Sequence, residues 1–419
     1  MKVHGTIRVP GDKSISHRAL LFSALADGRS RIRNILPSAD VHSTAGVLRA
    51  LGVDVPELTS DLTVAGDGLR SLRAPSRDLD CGNSGTTTRL VTGIAAACRF
   101  ASRFIGDASL SRRPMQRVAR PLTTMGARFD FERGDGLPMV VHGAPLRPIE
   151  WFTETASAQT KSAILLAGLV GGVPVTVREP ARSRDHTERM LGAMGVAIET
   201  HGTTVRLEPA ERLTPLDMSV PSDPSSAAFM AALALLADDG ELELPMVCLN
   251  ETRTGFFRAL ARMGAHLELH TGEPQGGEVV GTVCARPSPL RGIDLDPAEV
   301  PSMIDELPLL ACVAARARGV TTITGAAELR VKESDRIATT VANLRAVGVD
   351  ADELPDGMRI TGATNPLRGA IQTHGDHRIA MAFGILGALP GNEIAIDDPG
   401  CVAVSYPAFW DDLRRAIVQ

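Results

Sequence analysis

The sequence predicts a mixed α/β fold made of six similar repeats in two domains, and three observations support this. First, a glycine follows an apolar helix end and precedes a strand-like run at five places: Gly52, Gly126, Gly195, Gly264 and Gly348. Second, the spacing of roughly 70 residues implies about six repeats in the 419-residue chain. Third, most of these strand-like runs are followed by a turn with Gly and Pro and then by a second extended segment, as in MVVHGAPLRPI at 139–149. Two adjacent strands between helices fit neither pure β-α alternation nor an all-strand fold.

Composition and charge exclude several classes of protein. The chain is 44% hydrophobic with a net charge of −5, which argues against a nucleic-acid binder. Its apolar runs are shorter than the ~18–20 residues of a membrane span, and residues 1–10 lack a signal-peptide pattern, so we expect a cytoplasmic protein without membrane contact. The six cysteines stand singly without a C-x-x-C pair, so we expect reduced core thiols and neither a disulfide framework nor a metal site.

Lysine is the informative basic residue in this chain. Only four of the 44 basic residues are lysines, at positions 2, 13, 161 and 332. A lysine ammonium is a compact charge that can change protonation state when buried, whereas guanidinium is planar and permanently charged. Codon bias is the alternative explanation, but Lys13 and Lys332 both lie in clusters of polar residues, which favours a function.

The first cluster is PGDKSISHRAL at 10–20, between the strand-like GTIRVP and an apolar helical pattern. Lys13, Ser14 and Arg18 are therefore expected at a strand-to-helix turn, where backbone N–H groups and the helix dipole favour anions. Asp12 stands where a Walker loop requires glycine, which excludes that nucleotide motif. A capped helix with solvated charges is the alternative.

Four more helix starts carry ligand candidates. In DCGNSGTTTR at 80–89, Gly85 allows close approach of a ligand and Arg89 lies one turn into the helix. Arg113 is the best candidate in the arginine-rich SRRPMQRVARPL at 111–122. TASAQTKSAILLAGL at 155–169 offers Ser157 and Gln159, and EPARSRDHTERML at 179–191 offers Ser183. For the serines, a simple helix cap remains the alternative.

Acid and base candidates lie in the last third of the chain. Asp305 and Glu306 are expected within an apolar helix at 299–315, where a buried carboxylate needs a partner or has an elevated pKa. Lys332, Glu333 and Arg336 precede the next helix, and Arg378 follows Asp376 and His377 at the head of another. These basic residues suit binding of small phosphorylated or carboxylated metabolites. Together with the carboxylates they suit acid–base group transfer without a cofactor or metal.

These motifs resemble one family over nearly the whole chain. PGDKSISHR, GNSGTTTR, RVKESDR and GDHRIAM together are similar to the 5-enolpyruvylshikimate-3-phosphate (EPSP) synthases. The resemblance implies an inside-out α/β barrel of six βαβαββ repeats, three per domain, with residues 12–222 in one domain, residues 1–11 and 223–419 in the other, and the substrate cleft between them. It implies a monomer that transfers the enolpyruvyl group of phosphoenolpyruvate to the 5-hydroxyl of shikimate 3-phosphate in aromatic amino-acid biosynthesis.

The resemblance also implies roles for matching residues. Those expected to bind phosphoenolpyruvate are Lys13, Arg89, Arg113, Lys332, Arg336 and Arg378. Those expected to bind shikimate 3-phosphate are Ser14, Arg18, Ser157, Ala158 through its backbone, Gln159, Ser183 and Asp305. Asp305 would take the proton of the attacking hydroxyl, and Glu333, with or without Lys13, would transfer the proton on carbon.

The chain departs from the family pattern at three positions. Val404 stands where some members carry lysine, His186 where others carry tyrosine, and Glu328 where others carry asparagine. Gly85 has no side chain to crowd the phosphoenolpyruvate pocket, so we expect inhibition by glyphosate, the known inhibitor of the family.

Two other functions are also compatible with these sequence motifs. An enolpyruvyl transferase acting on UDP-N-acetylglucosamine would share the fold and the donor, but its loop cysteine has no counterpart near Arg113. A non-enzymatic binder of phosphometabolites would need the cations but not Asp305 and Glu333. Phosphate release from mixed substrates separates these hypotheses.

Overall fold

The computed structural model describes residues 1–418 and is a mixed α/β structure. Its strands are β1 Lys2–Thr6, β2 Asp27–Arg33, β3 Leu62–Asp67, β4 Leu79–Asp80, β5 Ala101–Ile105, β6 Arg128–Phe131, β7 Met139–His142, β8 Ile149–Phe152, β9 Val175–Arg178, β10 Ile198–His201, β11 Thr204–Leu207, β12 Asp217–Ser219, β13 Asp239–Cys248, β14 His266–Thr271, β15 Val280–Arg286, β16 Val320–Ile323, β17 Ala351–Leu354, β18 Gly357–Thr361, β19 Arg368–Ile371, β20 Glu393–Ile396 and β21 Ile417–Val418. Its α-helices are α1 Lys13–Leu25, α2 Ala39–Ala50, α3 Gly85–Ala97, α4 Gln116–Met125, α5 Ala158–Gly171, α6 His186–Ala193, α7 Pro224–Leu235, α8 Gly255–Arg262, α9 Leu307–Ala314, α10 Arg336–Ala346, α11 His377–Gly387 and α12 Phe409–Ala416.

The chain forms two compact units. Unit A comprises Gly11–Pro221 and the short segment Pro274–Glu278. Unit B comprises Met1–Pro10, Ser222–Glu273 and the chain from Val279 onward. The sequence did not indicate that residues 274–278 belong with unit A, where a Cβ on Gly276 would lie 2.8 Å from the Met218 side chain.

The three sheets of unit A show the repeat directly. The sheets β4-β5-β7-β6 and β8-β9-β11-β10 have the same strand order. In each, the first two strands are parallel and the others antiparallel, as β4, β5, β7 and β6 illustrate. With α3 and α4, or α5 and α6, between strands, each is a βαβαββ repeat. The third sheet, β12-β2-β3, takes its parallel strand β12 from the end of the unit A segment.

Unit B also has three sheets. The sheet β14-β15-β13-β1 has the same order as the complete repeats of unit A, and β21 extends it beyond β1. The N-terminal strand β1 supplies the parallel partner of β13. The remaining sheets are β16-β18-β17 and the parallel pair β19-β20.

The five repeat glycines adopt the conformation that their sequence pattern predicts. All five have φ between 89° and 127°, a left-handed region in which a Cβ is disfavoured. A strand follows four of them, but the strand expected after Gly52 is absent. There the Arg49 Nε donates to the carbonyl of Val55 at 2.7 Å, and Pro56 has no N–H to offer a sheet.

Helices that are apolar on nearly all faces form the interior of each unit. Every residue of α7 and α9 is buried in unit B, and α3 and α5 are almost entirely buried in unit A. At Gly93 in α3, a Cβ would lie 2.2 Å from the Ala163 carbonyl oxygen of α5. Close packing at this point fixes the two helices that carry Arg89 and Gln159 at their N-terminal ends.

The expectation that Asp305 and Glu306 lie inside an α-helix was wrong. They lie in a 3₁₀ turn, Ile304–Glu306, and α9 begins at Leu307. Pro308 occupies the first turn of α9, where its missing N–H costs no helical hydrogen bond. The correction leaves both carboxylates at a helix head rather than inside a helix.

The structure also bears on the cysteines and on membranes. All six cysteines are free, and Cys81, Cys248 and Cys312 are buried. Burial raises the pKa of the Cys81 thiol to about 12, so this thiol stays protonated at neutral pH. Across residues 1–418, no helix has the length and apolar character that crossing a bilayer would require.

Candidate active site

Lys13 is the first residue of α1 and belongs to a tightly organised helix start. The Asp12 side chain caps the helix by accepting from the Ile15 backbone N–H at 2.8 Å. The Lys13 Nζ lies 3.1 Å from Asp40 Oδ2, and its side chain is 17% exposed. Asp12 is therefore a helix cap. Lys13 is partly exposed at the start of the same helix.

Arg18 is buried one turn further along α1. Its guanidinium donates to Thr187 Oγ1 at 2.8 Å, to Ser162 Oγ at 2.9 Å and to the Ser14 carbonyl at 2.9 Å. These bonds use three of its five N–H donors. Burial lowers the pKa of Arg18 to about 10, which still leaves it charged at neutral pH.

Gly85 lies against the ends of two arginines. A Cβ at this position would be 3.0 Å from Arg89 Nη1 and 3.2 Å from Arg113 Nη1. Arg89 Nη1 also donates to Gln159 Oε1 at 2.6 Å, and Arg113 Nη2 donates to Asn83 Oδ1 at 2.7 Å. The structure therefore brings together three sequence-predicted residues: the guanidinium groups of Arg89 and Arg113 lie beside Gly85, which has no side chain to separate them.

The start of α5 adds neutral polar groups to unit A. Ser157 caps this helix, since its Oγ accepts from the Thr160 N–H and from the Thr160 hydroxyl. Ser157 keeps its own O–H proton as a donor. Ala158 is the first residue of α5, where a backbone N–H has no partner inside the helix. Ser183, in the loop before α6, donates to Glu179 Oε2 at 2.9 Å.

In unit B, one guanidinium binds three carboxylates. Arg336 donates to Asp376 through two N–H groups at 2.8 and 3.2 Å, to Glu333 at 2.7 Å and to Asp305 at 3.1 Å. Lys332 Nζ donates to the same Asp305 oxygen at 3.2 Å. Burial alone would lower the pKa of Arg336, but the three carboxylates raise it above its ordinary value. Both predicted acid–base residues thus share one cation.

Arg378 enters the same region through Asp376 and one further carboxylate, Glu306. Asp376 caps α11 by accepting from the Arg378 backbone N–H at 2.9 Å. Burial opposes ionisation of Asp376, but Arg336 holds the pKa of that carboxyl below its ordinary value. The Arg378 Nη1 lies 4.0 Å from Glu306 Oε1, and Glu306 is itself fully buried.

Sequence reasoning left out several partners of these residues. Asn83 lies inside a motif that was recognised, so its neighbours could have identified it, and Asp376 was noted at a helix head but given no role. Asp40 had no such signal, because it is a lone carboxylate in the first turn of α2, 27 positions after Lys13. Glu179 begins the segment at 179–191 that offered Ser183, but nothing in the sequence shows that the two side chains are in contact.

The three departures from the family pattern are placed as follows. Val404 ends a 3₁₀ segment, Pro399–Val404, and brings no charge. His186 is fully buried, and its Nδ1 lies 2.7 Å from Glu278 Oε1 within unit A. Glu328 lies in a 3₁₀ turn, Ala327–Val331.

Comparison with known proteins identifies the family of this chain. A family model described as EPSP synthase (3-phosphoshikimate 1-carboxyvinyltransferase) matches residues 1–413. The chain belongs to the EPSP synthase family. A 3-phosphoshikimate 1-carboxyvinyltransferase of Sulfurihydrogenibium sp. is 47% identical over 99% of this chain and 97% of the relative. One from Roseiflexus castenholzii is 49% identical over the same shares.

Solved structures agree with this assignment to the EPSP synthases. The structure of EPSP synthase from Acinetobacter baumannii superposes with a TM-score of 0.87 at 39% identity, covering 99% of this chain and 96% of that one. The enolpyruvyl transferase NikO from Streptomyces tendae has a TM-score of 0.77 at 20% identity and shows the shared fold alone. The predicted fold class is confirmed, and as a member of the family the chain is an enzyme that transfers the enolpyruvyl group of phosphoenolpyruvate to shikimate 3-phosphate.

Proposed function

We propose that the residues described above carry out this transfer at the 5-hydroxyl of shikimate 3-phosphate, with release of phosphate. The donor, phosphoenolpyruvate, is bound by Lys13, Arg89 and Arg113 of unit A and by Lys332, Arg336 and Arg378 of unit B. A ligand with a phosphate and a carboxylate calls for such a set of cations, since each charge-assisted hydrogen bond to an anion is roughly twice as strong as a neutral one.

The acceptor, shikimate 3-phosphate, carries one phosphate, one carboxylate and free hydroxyls. Arg18 supplies a buried charge, and the hydroxyls of Ser14 and Ser157 can donate to its oxygens. Ser183, Gln159 and the backbone N–H of Ala158 complete the polar set. Because Arg18 is held by three hydrogen bonds within the protein, little of its side-chain entropy remains to be lost on binding.

The chemistry proceeds by addition and elimination. Asp305 removes the proton of the attacking 5-hydroxyl, whose oxygen bonds to C2 of phosphoenolpyruvate while C3 receives a proton from Glu333. Phosphate then leaves from C2 as Glu333 takes back a proton from the new methyl group, which restores the double bond. Lys13 is the other candidate for this carbon-bound proton.

One observation supports this assignment most directly: Asp305 and Glu333 bind the same guanidinium, that of Arg336. A base for the acceptor oxygen and an acid for the donor carbon must reach neighbouring atoms of one intermediate. The proposal also requires Lys332 and Arg336 to exchange part of their ion pairs with these carboxylates for oxygens of the donor. Asp376 is fully buried, and its two hydrogen bonds from Arg336 leave it the least able to move.

Phosphate release tests the proposal. The purified protein is mixed with phosphoenolpyruvate and either shikimate 3-phosphate or UDP-N-acetylglucosamine, and inorganic phosphate is measured. We expect release with shikimate 3-phosphate only. Release with the nucleotide sugar alone would favour the related transferase, and binding of both metabolites without release would favour a binding protein.

Asp305→Asn is expected to lose turnover while still binding phosphoenolpyruvate.

We also propose that the enzyme acts as a monomer in the cytoplasm. Every proposed ligand to both substrates belongs to a single chain. The six free thiols are typical of proteins from a reducing compartment.

A further inference from the structure

Lys161 is a buried lysine that the proposed reaction does not use. It lies in α5 with 1% of its surface exposed. Its Nζ is 2.7 Å from Glu179 Oε2 and 2.8 Å from Glu188 Oε1. Burial alone would lower the pKa of Lys161, but the two carboxylates raise it above its ordinary value, so the ammonium stays charged. A buried ion cluster of this kind is weak evidence for stability, so a second role is worth seeking.

Glu179 connects this cluster to the proposed acceptor site. The same oxygen that binds Lys161, Oε2, also accepts the hydroxyl of Ser183 at 2.9 Å. Ser183 is buried, and a serine hydroxyl otherwise rotates freely between staggered positions. Glu179 therefore takes the single proton of Ser183, so that towards shikimate 3-phosphate Ser183 Oγ can only accept, from one of its hydroxyl groups. Lys161 fixes the Glu179 oxygen that orients Ser183 in this way.

A neighbouring layer of hydroxyls holds Arg18. Ser162 follows Lys161 in α5, and Thr187 precedes Glu188 in α6. Their hydroxyl oxygens are 2.7 Å apart and accept from Arg18 Nη2 and Nε. The Lys161–Glu188 ion pair thus joins the two helices beside the hydroxyl pair that orients Arg18.

We propose that Glu179 is a positioning residue for shikimate 3-phosphate, acting through Ser183, and that Lys161 holds Glu179 in place. This inference rests on the proposed function, in which Ser183 contacts the acceptor. It assigns the buried lysine to affinity for one substrate rather than to the stability of the fold.

The decisive variant is Glu179→Met, because it removes the acceptor of the Ser183 hydroxyl but leaves Lys161 paired with Glu188. We expect the dissociation constant of shikimate 3-phosphate, measured by calorimetry, to rise up to about tenfold, the size of effect expected when a ligand loses one well-oriented hydrogen bond. The KM for phosphoenolpyruvate is expected to stay unchanged. Glu179→Gln, which keeps an oxygen acceptor, is expected to restore most of the affinity.

Glu188→Gln is the matched control. It removes the other carboxylate of Lys161 and equally leaves one buried ion pair, but Glu188 does not bond to Ser183. We expect it to weaken binding of shikimate 3-phosphate less than Glu179→Met does, because Arg18 keeps its own hydrogen bonds to Ser162 and Thr187. Equal weakening by Glu188→Gln and Glu179→Met, together with a similar loss of melting temperature, would show that the cluster is structural and overturn the inference.

A double-mutant cycle separates this inference from the proposed function. Ser183→Ala is expected to weaken shikimate 3-phosphate binding, and adding Glu179→Met to it is expected to cause no further loss. Unchanged binding by Ser183→Ala would overturn the role of Ser183 itself. Weakened binding by Ser183→Ala with wild-type binding by Glu179→Met would overturn only the positioning role. Should Glu179→Met fail to fold, Glu179→Ala decides, since it also removes the acceptor of the Ser183 hydroxyl: weaker binding confined to shikimate 3-phosphate supports the role, and wild-type affinity contradicts it.

Discussion

Lys13 shows how the chemistry of one side chain limits what can replace it. Its Nζ is partnered by Asp40 at a distance of 3.1 Å, and its side chain is largely enclosed. Arginine has the same charge but needs room for a planar fork. We therefore expect Lys13→Arg to reduce kcat by at least about 10²-fold, since small misplacements at a reacting centre have effects of this size, while the protein stays folded by circular dichroism.

Lys2 provides the control for that substitution. Its side chain is 58% exposed and pairs with Asp239 at the surface. Lys2→Arg should leave both kcat and melting temperature as in the wild type, because exposed ion pairs contribute little. Kinetics of Lys13→Arg close to those of Lys2→Arg would remove the proposed role of Lys13.

Glu333 is the residue at which acid–base chemistry can be separated from binding. Glu333→Gln keeps an oxygen that accepts from Arg336 but cannot exchange a proton, so we expect phosphoenolpyruvate affinity to be retained. The expected loss in kcat is ~10²–10⁴-fold, typical for removal of a general acid or base. Steady-state assays of phosphate release measure both quantities. An unchanged kcat would leave Lys13 as the source of the proton on carbon.

The control is another carboxylate of unit B, Glu241, which binds Arg286 at 3.0 Å and is 40% exposed. Glu241→Gln makes the same chemical change at a residue with no proposed role and should leave kcat unaltered.

Gly85 illustrates a requirement for space. Gly85→Ala places a methyl group within 3.2 Å of both Arg89 and Arg113, so their guanidinium ends must shift by a few tenths of an ångström. We expect a several-fold higher KM for phosphoenolpyruvate, a weaker inhibition by glyphosate and a normal melting temperature. Gly46→Ala in α2 meets no neighbouring atom and serves as the control. A wild-type enzyme insensitive to millimolar glyphosate would contradict the expectation from the sequence.

At the scale of elements, the sequence predicted repeats better than it predicted boundaries. The five glycines were reliable because left-handed φ angles at helix ends disfavour other residues. Two errors came from local competition. Arg49 binds the Val55 carbonyl, which a strand after Gly52 would use. Pro308 lies in the first turn of α9, so this helix begins at Leu307, after Asp305. Asp40 was missed because its partner Lys13 lies 27 positions away, and the ion pair of Glu179 with Lys161 spans 18 positions.

The starts of α1 and α3 are joined by a chain of buried side chains. His17 Nδ1 lies 2.7 Å from Thr44 Oγ1, which lies 2.7 Å from Thr87 Oγ1, and Thr87 donates to the capping Ser84 at 2.7 Å. These bonds connect α1 with α2 and α3 within unit A. They hold the helix heads that carry Lys13 and Arg89 in a fixed relation.

The buried, neutral state of His17 is expected to make the fold less stable in acid, because the unfolded chain takes up a proton that native His17 does not. Burial lowers the pKa of His17 to about 3; Asp40 opposes the shift, and Lys13 and Arg18 add to it. Because the unfolded histidine titrates near pH 6.5, its contribution is complete above that pH. It is lost at about 1.4 kcal/mol per pH unit as the pH falls from 6.5 to about 3.

The measurement is the free energy of unfolding in urea at several pH values between 7 and 4. His17→Gln should lose stability less steeply with acid than the wild type, so the difference between the two proteins changes with pH. His201→Gln, at a side chain that is 84% exposed, should run parallel to the wild type. A constant difference between His17→Gln and wild type would contradict the buried, neutral state of His17.

At the scale of the whole molecule, the proposed roles divide between the units. Apart from Asp305, all proposed ligands of shikimate 3-phosphate lie in unit A, in the continuous stretch from Gly11 to Pro221. Both proposed acid–base carboxylates, Asp305 and Glu333, lie in unit B. Unit A has its own three sheets and buried helices. We therefore expect a fragment that contains only unit A to bind the acceptor but not to catalyse the reaction.

A fragment of residues 11–221 is therefore expected to fold and to bind shikimate 3-phosphate without releasing phosphate from phosphoenolpyruvate. The fragment lacks Glu278 and with it the 2.7 Å contact to His186 Nδ1, so we expect it to be less stable than unit A in the full chain. Circular dichroism reports folding, and calorimetry reports binding. The same fragment with Arg18→Gln is the control and should bind much more weakly, because it loses the buried charge proposed for the acceptor; circular dichroism shows whether it keeps the fold. A folded fragment with no affinity for the acceptor would show that unit B contributes more to its binding than Asp305 alone.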